Sequence, residues 1–230
     1  MSQFFTRPSE KFPPGVKYII AICVVVWVAQ LYFTTFHSTS VDIGGLKIST
    51  GNSLTDKLAL WPIGNPNFHF WQLITHMFAH ADSGSYLFVH ILFNMFTLWM
   101  FGRILEDMWG TKPFLKFYLL CGLGAASLHL MVQYFVYGAG GGEAALGASG
   151  AVFGVLVAFA MLFPNTELYL MFIPVPIKAK WVVLGLIVLD LFGGFSNSSD
   201  GVAHFAHLGG AITGFILIKI RNKTNRKTLF

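Results

Sequence analysis

Long blocks of apolar residues constrain the fold of this chain more than any other feature of its sequence. A helix that crosses a bilayer needs about 20 mainly apolar residues. Two of the blocks are short, which a membrane tolerates by local thinning. The chain is therefore predicted to be an all-α, polytopic membrane protein with six transmembrane helices. The predicted helices cover 17–36, 86–108, 113–136, 147–163, 180–195 and 202–220.

The composition agrees with lipid as the solvent for most of the chain. Hydrophobic residues make up 55% of the 230 residues and charged residues only 11%, whereas soluble domains carry about 25% charged residues. Little chain remains for a second globular unit, so we expect a single membrane domain over residues 1–230. The net charge of +5 does not indicate nucleic-acid binding, because the basic residues lie at the chain ends and in short connectors.

The same basic residues predict how the helices are oriented. They precede the first helix, flank the connection between helices 2 and 3, lie in the connection between helices 4 and 5, and end the chain. The connections between helices 3 and 4 and between helices 5 and 6 carry only the acids Glu143 and Asp200. The positive-inside rule places the basic connections in the cytoplasm. With six helices both termini lie there, so we expect residues 1–16 and the tail 221–230 to be cytoplasmic. The expected location is the inner membrane of a bacterial cell.

The longest connection, residues 37–85, lies on the outer side in this topology. It is rich in large apolar side chains, which favour the lipid–water boundary. We expect its part near 66–80 to lie in or on the outer leaflet. A small packed cap on the outer face is the alternative. The side chains are Trp61, Phe68, Phe70, Trp71, Met77 and Phe78.

Ser149 is the first candidate for chemistry, because polar residues inside a membrane are costly and often functional. It lies in the sequence Gly-Ala-Ser-Gly at 147–150, at the outer start of the fourth helix. Unsatisfied N–H groups and the helix dipole at such a start favour negative charge, as a tetrahedral oxyanion requires. The alternative is a small residue that only allows close packing.

His207 is the candidate base, since a serine nucleophile needs a base within hydrogen-bond reach. Small residues four positions apart let two helices approach closely in lipid, and the fourth and sixth helices each carry such a pair. Both helices begin on the outer side, which brings Ser149 and His207 to a similar depth. Packing motifs with structural histidines remain the alternative. The pairs are Gly150 with Gly154 and Gly210 with Gly214.

His90 and Asn94 are candidate oxyanion donors on the second helix. They are four residues apart, so they share one helix face. An interhelical hydrogen bond without a catalytic role is the alternative interpretation.

Two other classes of function compete with a serine enzyme. His76 with His80 and His204 with His207 have spacings that suit metal ligands, but the sequence shows no HExxH or CxxC motif, and we expect no acid to join either pair as a ligand. We therefore expect no metal and no other cofactor. A transporter commonly shows internal repeats, and this sequence has none.

Taken in chain order, these motifs resemble those of the rhomboid intramembrane serine proteases. The similarity extends from about residue 70 to 214, and it is the ordered set that is specific. The matching segments are Trp71–His76, His90–Asn94, Gly102 with Glu106 and Gly110, Gly147–Gly150, and His207–Gly210 with Gly214.

The resemblance implies a role for each of these residues. Ser149 would be the nucleophile and His207 its base, in a dyad without an acid. His90, Asn94 and the N–H of Ser149 would form the oxyanion hole. The glycines would keep the serine accessible (Gly147) and hold the two helices together (Gly150, Gly210 and Gly214).

The resemblance also implies substrates and moving parts. The substrates would be transmembrane segments of other membrane proteins, cut near the outer face after a small residue. The fifth helix would act as a lateral gate, and the loop after the first helix would lie at the interface.

The chain departs from the family pattern at two positions. Gln72 follows Trp71 where the family usually has arginine, which leaves open what anchors the loop. Phe153, one turn after the serine, can stack on His207 but has no hydroxyl. The family spacing selects His207 over His204 as the base. A catalytically inactive relative that acts as a binding factor is the remaining alternative, and the oligomeric state is not predicted.

Overall fold

The long helices of the computed structural model lie where the apolar blocks predicted them. The structure describes residues 12–37, 40–43, 46–49, 54–82, 87–170, 173–195 and 204–227. The bounds of the long helices are α1 Pro14–His37, α6 Thr111–Tyr137, α7 Ser149–Leu162, α8 Ala179–Phe195 and α9 His204–Lys227. One further helix runs from Leu87 to Trp109. It consists of α4 Leu87–Thr97, a π-helical turn Leu98–Gly102 and α5 Arg103–Trp109.

Three of these helices are long and apolar enough to cross a membrane, namely Pro14–Phe36, Leu87–Trp109 and Thr111–Tyr137. They expose large apolar side chains such as Val25, at 68%, and Phe135, at 78%. A surface of this kind requires lipid rather than water. The chain thus has the architecture of an integral membrane protein, whereas the count of six spanning helices stays a prediction.

Helix α7 lies at the centre of the bundle. Most of its 14 residues are buried, although it is too short to match the three long helices. It packs against α9 through glycines: a Cβ at Gly210 would overlap the carbonyl oxygen of Gly150, and one at Gly214 would lie 2.8 Å from the Cα of Gly154. The glycine pairs read from the sequence therefore face each other and bring the two backbones into contact.

Helix α6 approaches α9 as closely as α7 does, which the sequence did not lead us to expect. A Cβ at Gly209 would lie 2.5 Å from the carbonyl oxygen of Gly124 and 2.8 Å from the Cβ of Leu128. Helix α9 is thus held from two sides by backbone contact, which leaves it little freedom to rotate.

Two antiparallel hairpins depart from the predicted all-α fold. Strand β1 (Ser40–Ile43) pairs with β2 (Leu46–Ser49), and β3 (Glu167–Leu170) pairs with β4 (Ile173–Lys178). The prediction was wrong in these two connectors because strands of four to six residues contain too few alternations to stand out from a polar loop.

The ends of the first and last helices also differ from the predicted ends. Helix α1 begins at Pro14, a residue type that suits the first turn, and the buried Glu106 carboxylate accepts hydrogen bonds from the N–H groups of Gly15 and Val16 at 2.7 Å. Helix α9 continues to Lys227 and so includes most of the predicted tail. The remainder of the predicted cytoplasmic segments, residues 1–11 and 228–230, lies outside the described residues.

The long connection between α1 and α4, which was predicted to lie on the outer side, combines the two interpretations offered for it. It contains two short helices, α2 Leu54–Leu58 and α3 Gln72–Thr75. One side packs into the bundle, where His76 and His80 are buried, and the other exposes Phe70 at 81% and Trp71 at 53%. The segment is therefore a packed cap that presents aromatic side chains outward.

Gln72 anchors this cap, although arginine is the residue expected there. Its side chain is fully buried. The amide nitrogen donates to the carbonyl oxygen of Asn67 at 2.8 Å, and the amide oxygen accepts from the N–H groups of His69 at 3.1 Å and Trp61 at 3.3 Å. An amide can do this because it offers both donors and an acceptor.

Candidate active site

Ser149 and His207 come together where α7 and α9 begin. The Nε2 atom of His207 lies 2.7 Å from the hydroxyl oxygen of Ser149. The glycine contact between the helices makes this possible, because Gly150 follows the serine and Gly210 lies one turn after the histidine. Both side chains are partly exposed, so a reactant can approach them without unfolding of the bundle.

The chain enters α7 in a conformation that presents Ser149 at the helix start. Gly147 has φ +123, which residues with a Cβ rarely adopt. Its N–H donates to the carbonyl oxygen of His76 at 2.9 Å, and Ala145 forms a β-bridge with Leu60. The cap thus fixes the segment before the serine. As the first residue of α7, Ser149 has an N–H without an intrahelical acceptor.

His90 lies beside Gly147 and faces the same space as the serine. A Cβ at Gly147 would lie 3.0 Å from His90 Nε2 and 3.5 Å from Ser149 Oγ. The Nδ1 atom of His90 accepts from the N–H of Ala81 at 3.4 Å, which in the neutral ring leaves the proton on Nε2. The structure therefore aims an N–H donor at the gap that the absent side chain of Gly147 leaves next to Ser149.

Asn94 lies one turn after His90 on α4 and is buried. Its side-chain nitrogen donates to the carbonyl oxygen of His90 at 2.9 Å. An amide nitrogen carries two hydrogens, so this bond uses one and leaves one for another acceptor.

Phe153 lies one turn after Ser149 and stacks on His207. The ring centroids are 4.6 Å apart and the ring planes differ by 6°. A near-parallel stack at this distance fixes the plane of the imidazole. The aromatic partner named from the sequence thus contacts the histidine directly.

An acid contacts His207, contrary to the expectation of a pair without one. Asp190 of α8 has its Oδ1 atom 2.9 Å from His207 Nδ1 and 2.8 Å from His204 Nδ1. Helices α8 and α9 run side by side, so an acid five residues before the end of α8 reaches the first turn of α9. An acid in an apolar block is costly, so the sequence carried a signal for Asp190 that was overlooked.

The same three side chains are the group within the described part of the chain that could share one metal ion. The ligand atoms of Asp190, His204 and His207 lie within 4.8 Å of one another. The expectation that no acid accompanies His204 and His207 was therefore wrong, because the fold brings Asp190 next to both. His76 and His80 instead hydrogen-bond separately to the backbone, at Gln72 and Phe78.

Comparison with known proteins gives a consistent family. A family model described as Rhomboid domain matches residues 67–223. The chain is 30% identical over 227 residues to Rhomboid-like protein 11, chloroplastic, of Arabidopsis thaliana, covering 94% of this chain and 69% of the relative. It is 28% identical over 206 residues to the putative rhomboid protease YdcA of Bacillus subtilis, covering 89% and 86%.

A third relative shares only the central part of its length. Rhomboid protein 1, mitochondrial, of Saccharomyces cerevisiae is 33% identical over 145 residues, which are 63% of this chain and 40% of the relative. The chain thus spans less than half of that protein. The family model, which matches residues 67–223, includes both Ser149 and His207.

Proposed function

We propose that this chain, which belongs to the rhomboid family, is an intramembrane serine endopeptidase. The observation that carries the proposal is the 2.7 Å contact between Ser149 Oγ and His207 Nε2. A hydroxyl at this distance from a neutral imidazole nitrogen is the arrangement that general-base activation requires. Relatives that are named rhomboid proteases, in Bacillus subtilis, support the same activity.

In this mechanism His207 Nε2 takes the hydroxyl proton while Ser149 Oγ bonds to the carbonyl carbon of the substrate. The negative charge that forms on the carbonyl oxygen is stabilised by the backbone N–H of Ser149, by His90 Nε2 and by the second amide hydrogen of Asn94. His207 then gives its proton to the leaving amine. Water hydrolyses the acyl-enzyme by the same steps with His207 again as the base.

The substrates are transmembrane segments of other membrane proteins, which reach Ser149 at the outer end of α7. The partial exposure of the site and its position next to the cap support cleavage near the outer face. In the proposed topology six helices cross the membrane and both termini lie on one side, which is the cytoplasm if the chain resides in a bacterial inner membrane. The whole chain then forms one domain.

Cleavage of a fluorescently labelled transmembrane peptide in proteoliposomes tests the proposal. Ser149→Ala should abolish cleavage and leave the unfolding temperature unchanged, because the hydroxyl lies at the helix start and its partner among the described residues is the partly exposed His207. The matched control is Ser127→Ala, which removes an exposed hydroxyl that bonds to the carbonyl oxygen of Leu123 within α6 and should retain full activity.

Two further measurements separate the alternatives. A fluorophosphonate probe should label the protein at Ser149, and an inactive binding relative would not react. Dialysis against EDTA should leave cleavage unchanged, whereas a metal enzyme built on Asp190, His204 and His207 would lose activity. Cleavage that persists in Ser149→Ala would contradict the serine mechanism.

A further inference from the structure

The carboxylate of Asp190 lies at the Nδ1 edge of the His207 ring, whereas Ser149 lies at the Nε2 edge. Its Oδ1 atom is 2.9 Å from His207 Nδ1, while His207 Nε2 is 2.7 Å from the serine. We propose that Asp190 is a positioning residue, which holds His207 in the productive tautomer and orientation so that the site works as a triad spread over three helices. This inference rests on the proposed protease function.

The tautomer of His207 is the first quantity that Asp190 determines. A neutral imidazole has one protonated nitrogen, and it can take the serine proton at Nε2 only when the other nitrogen, Nδ1, carries the hydrogen. A carboxylate oxygen only accepts hydrogen bonds, so its contact with Nδ1 selects this form. The Nδ1 proton stays on His207 throughout, because the carboxylate orients the ring without taking the proton.

The orientation of the His207 ring is the second property that Asp190 determines. The stack on Phe153 fixes the plane of His207 but still permits rotation within that plane. Hydrogen bonds at both nitrogens, to Asp190 and to Ser149, stop this rotation. Stacking and hydrogen bonding therefore constrain different motions of the same ring, and together they hold Nε2 on the serine.

The third effect of Asp190 is electrostatic, because its negative charge stabilises His207 when the ring becomes protonated. When His207 accepts the serine proton it becomes a cation, and a carboxylate 2.9 Å away stabilises that cation. The side chains of His207 and Asp190 are only 13% and 11% exposed, so water screens the attraction less than it would on an open surface. The stabilisation appears as the reaction proceeds, which is the condition for it to increase the rate.

Asp190 is itself held in place by the packing of α8 on α9. His204 Nδ1 lies 2.8 Å from the same oxygen. Glycines let α8 come this near: a Cβ at Gly193 would lie 2.6 Å from His204 Cε1, and one at Gly194 would lie 3.2 Å from His204 Cβ. Two imidazoles thus converge on one carboxylate oxygen, and His204 becomes the residue that supports Asp190.

Steady-state kinetics of three variants in proteoliposomes test this inference. Asp190→Asn keeps the shape but loses the charge, and its amide can donate to Nδ1 and favour the wrong tautomer. We expect kcat to fall by tenfold or more, up to the roughly 10⁴-fold loss of the same change in soluble triad enzymes, with KM within about twofold. His204→Ala removes one support of Asp190 but keeps both partners of the bond between Asp190 and His207, so kcat should fall far less. Glu143→Gln removes an exposed acid and should not change kcat.

A purely structural role for Asp190 predicts a different pattern. Asp190→Asn and His204→Ala would then lower the unfolding temperature and the activity equally, and that result would overturn the inference, as would a wild-type kcat in a folded Asp190→Asn protein. If Asp190→Asn fails to fold, Asp190→Glu is tested by fluorophosphonate labelling instead. Slower labelling than in the wild type, with an unchanged unfolding temperature, supports the positioning role. Labelling at the wild-type rate contradicts it. Failure of the protease proposal looks different, because the wild type would then show no cleavage that depends on Ser149.

Discussion

Gly147 and His90 meet so closely that a single methyl group would fill the space between them. A Cβ at position 147 would lie 3.0 Å from His90 Nε2. That Nε2 is the donor that faces the serine, so the space is the one that a substrate carbonyl oxygen would occupy in the proposed mechanism.

Gly147→Ala is therefore expected to stop catalysis more than it destabilises the fold. The added methyl takes the place of the oxyanion, and φ +123 strains any residue with a Cβ at a cost of about 1–3 kcal/mol. We expect cleavage to fall by at least about 100-fold, the typical cost of losing an oxyanion donor. The measurement is kcat together with the unfolding temperature. Gly138→Ala is the control, since it also has positive φ but has nothing within 4 Å of its Cβ; an equal loss of activity there would show that strain alone is responsible.

His90→Ala and Asn94→Ala should each lower kcat and leave substrate binding largely unchanged. Removal of one oxyanion donor costs about 10²–10³-fold in kcat in soluble serine proteases. Because Asn94 donates to the carbonyl oxygen of His90, the two positions share one network, and the double variant should lose less than the product of the single losses. Independent, multiplicative losses would contradict a shared oxyanion site.

Gly210→Ala should destabilise the bundle because its Cβ would overlap the backbone carbonyl of Gly150. Backbone atoms cannot move aside as a side chain does, so α7 and α9 must separate, and we expect a cost of about 1–3 kcal/mol or more. Thermal unfolding in detergent measures the change. Gly185→Ala is the matched control: it lies on α8 with nothing within 4 Å of the added Cβ, and alanine should be neutral or slightly stabilising there. Equal destabilisation by both would mean that helix contact is not the cause.

The cap should lose stability as the pH falls below about 6.5. Burial lowers the pKa of His76 to about 4, and burial with the nearby His90 lowers that of His80 to about 3, both from 6.5. Between these values the unfolded chain binds protons that the folded chain does not, so acid favours unfolding. The stability contributed by the neutral histidines is complete above pH 6.5 and declines as the pH approaches 4. The unfolding temperature between pH 7.5 and 4 measures this, and His80→Leu should flatten the decline; an unchanged slope would contradict it.

Gln72→Met should loosen the cap while it preserves the volume of the side chain. The amide hydrogen-bonds to backbone groups, of which the three nearest belong to Asn67, His69 and Trp61, and each buried group left unpaired costs about 1–3 kcal/mol. We expect faster proteolysis within residues 54–82 and a lower unfolding temperature. Gln72→Glu retains the acceptors only and should be intermediate. A wild-type digestion pattern in Gln72→Met would show that the amide is not the anchor.

Local pattern predicted the helices well and the partners of individual side chains poorly. Composition and hydropathy follow from the solvent, so α6 was predicted at 113–136 and is observed at Thr111–Tyr137. The four-residue spacing of the glycine pairs was also enough to predict the contact between α7 and α9. The contact of Asp190 with His207 was missed because the two residues lie on helices whose packing a single sequence does not specify. The contact between Gly124 and Gly209 was missed for the same reason.

The hydrogen bonds of Gln72 connect to main-chain atoms at every partner described above. Main-chain groups are the same whatever side chains the neighbouring positions carry. Residues 61, 67 and 69 can therefore be exchanged over generations without breaking the anchor, provided that the backbone keeps its course. This anchor therefore depends on the side chain at position 72 and on the course of the backbone, and not on the side chains at its partner positions.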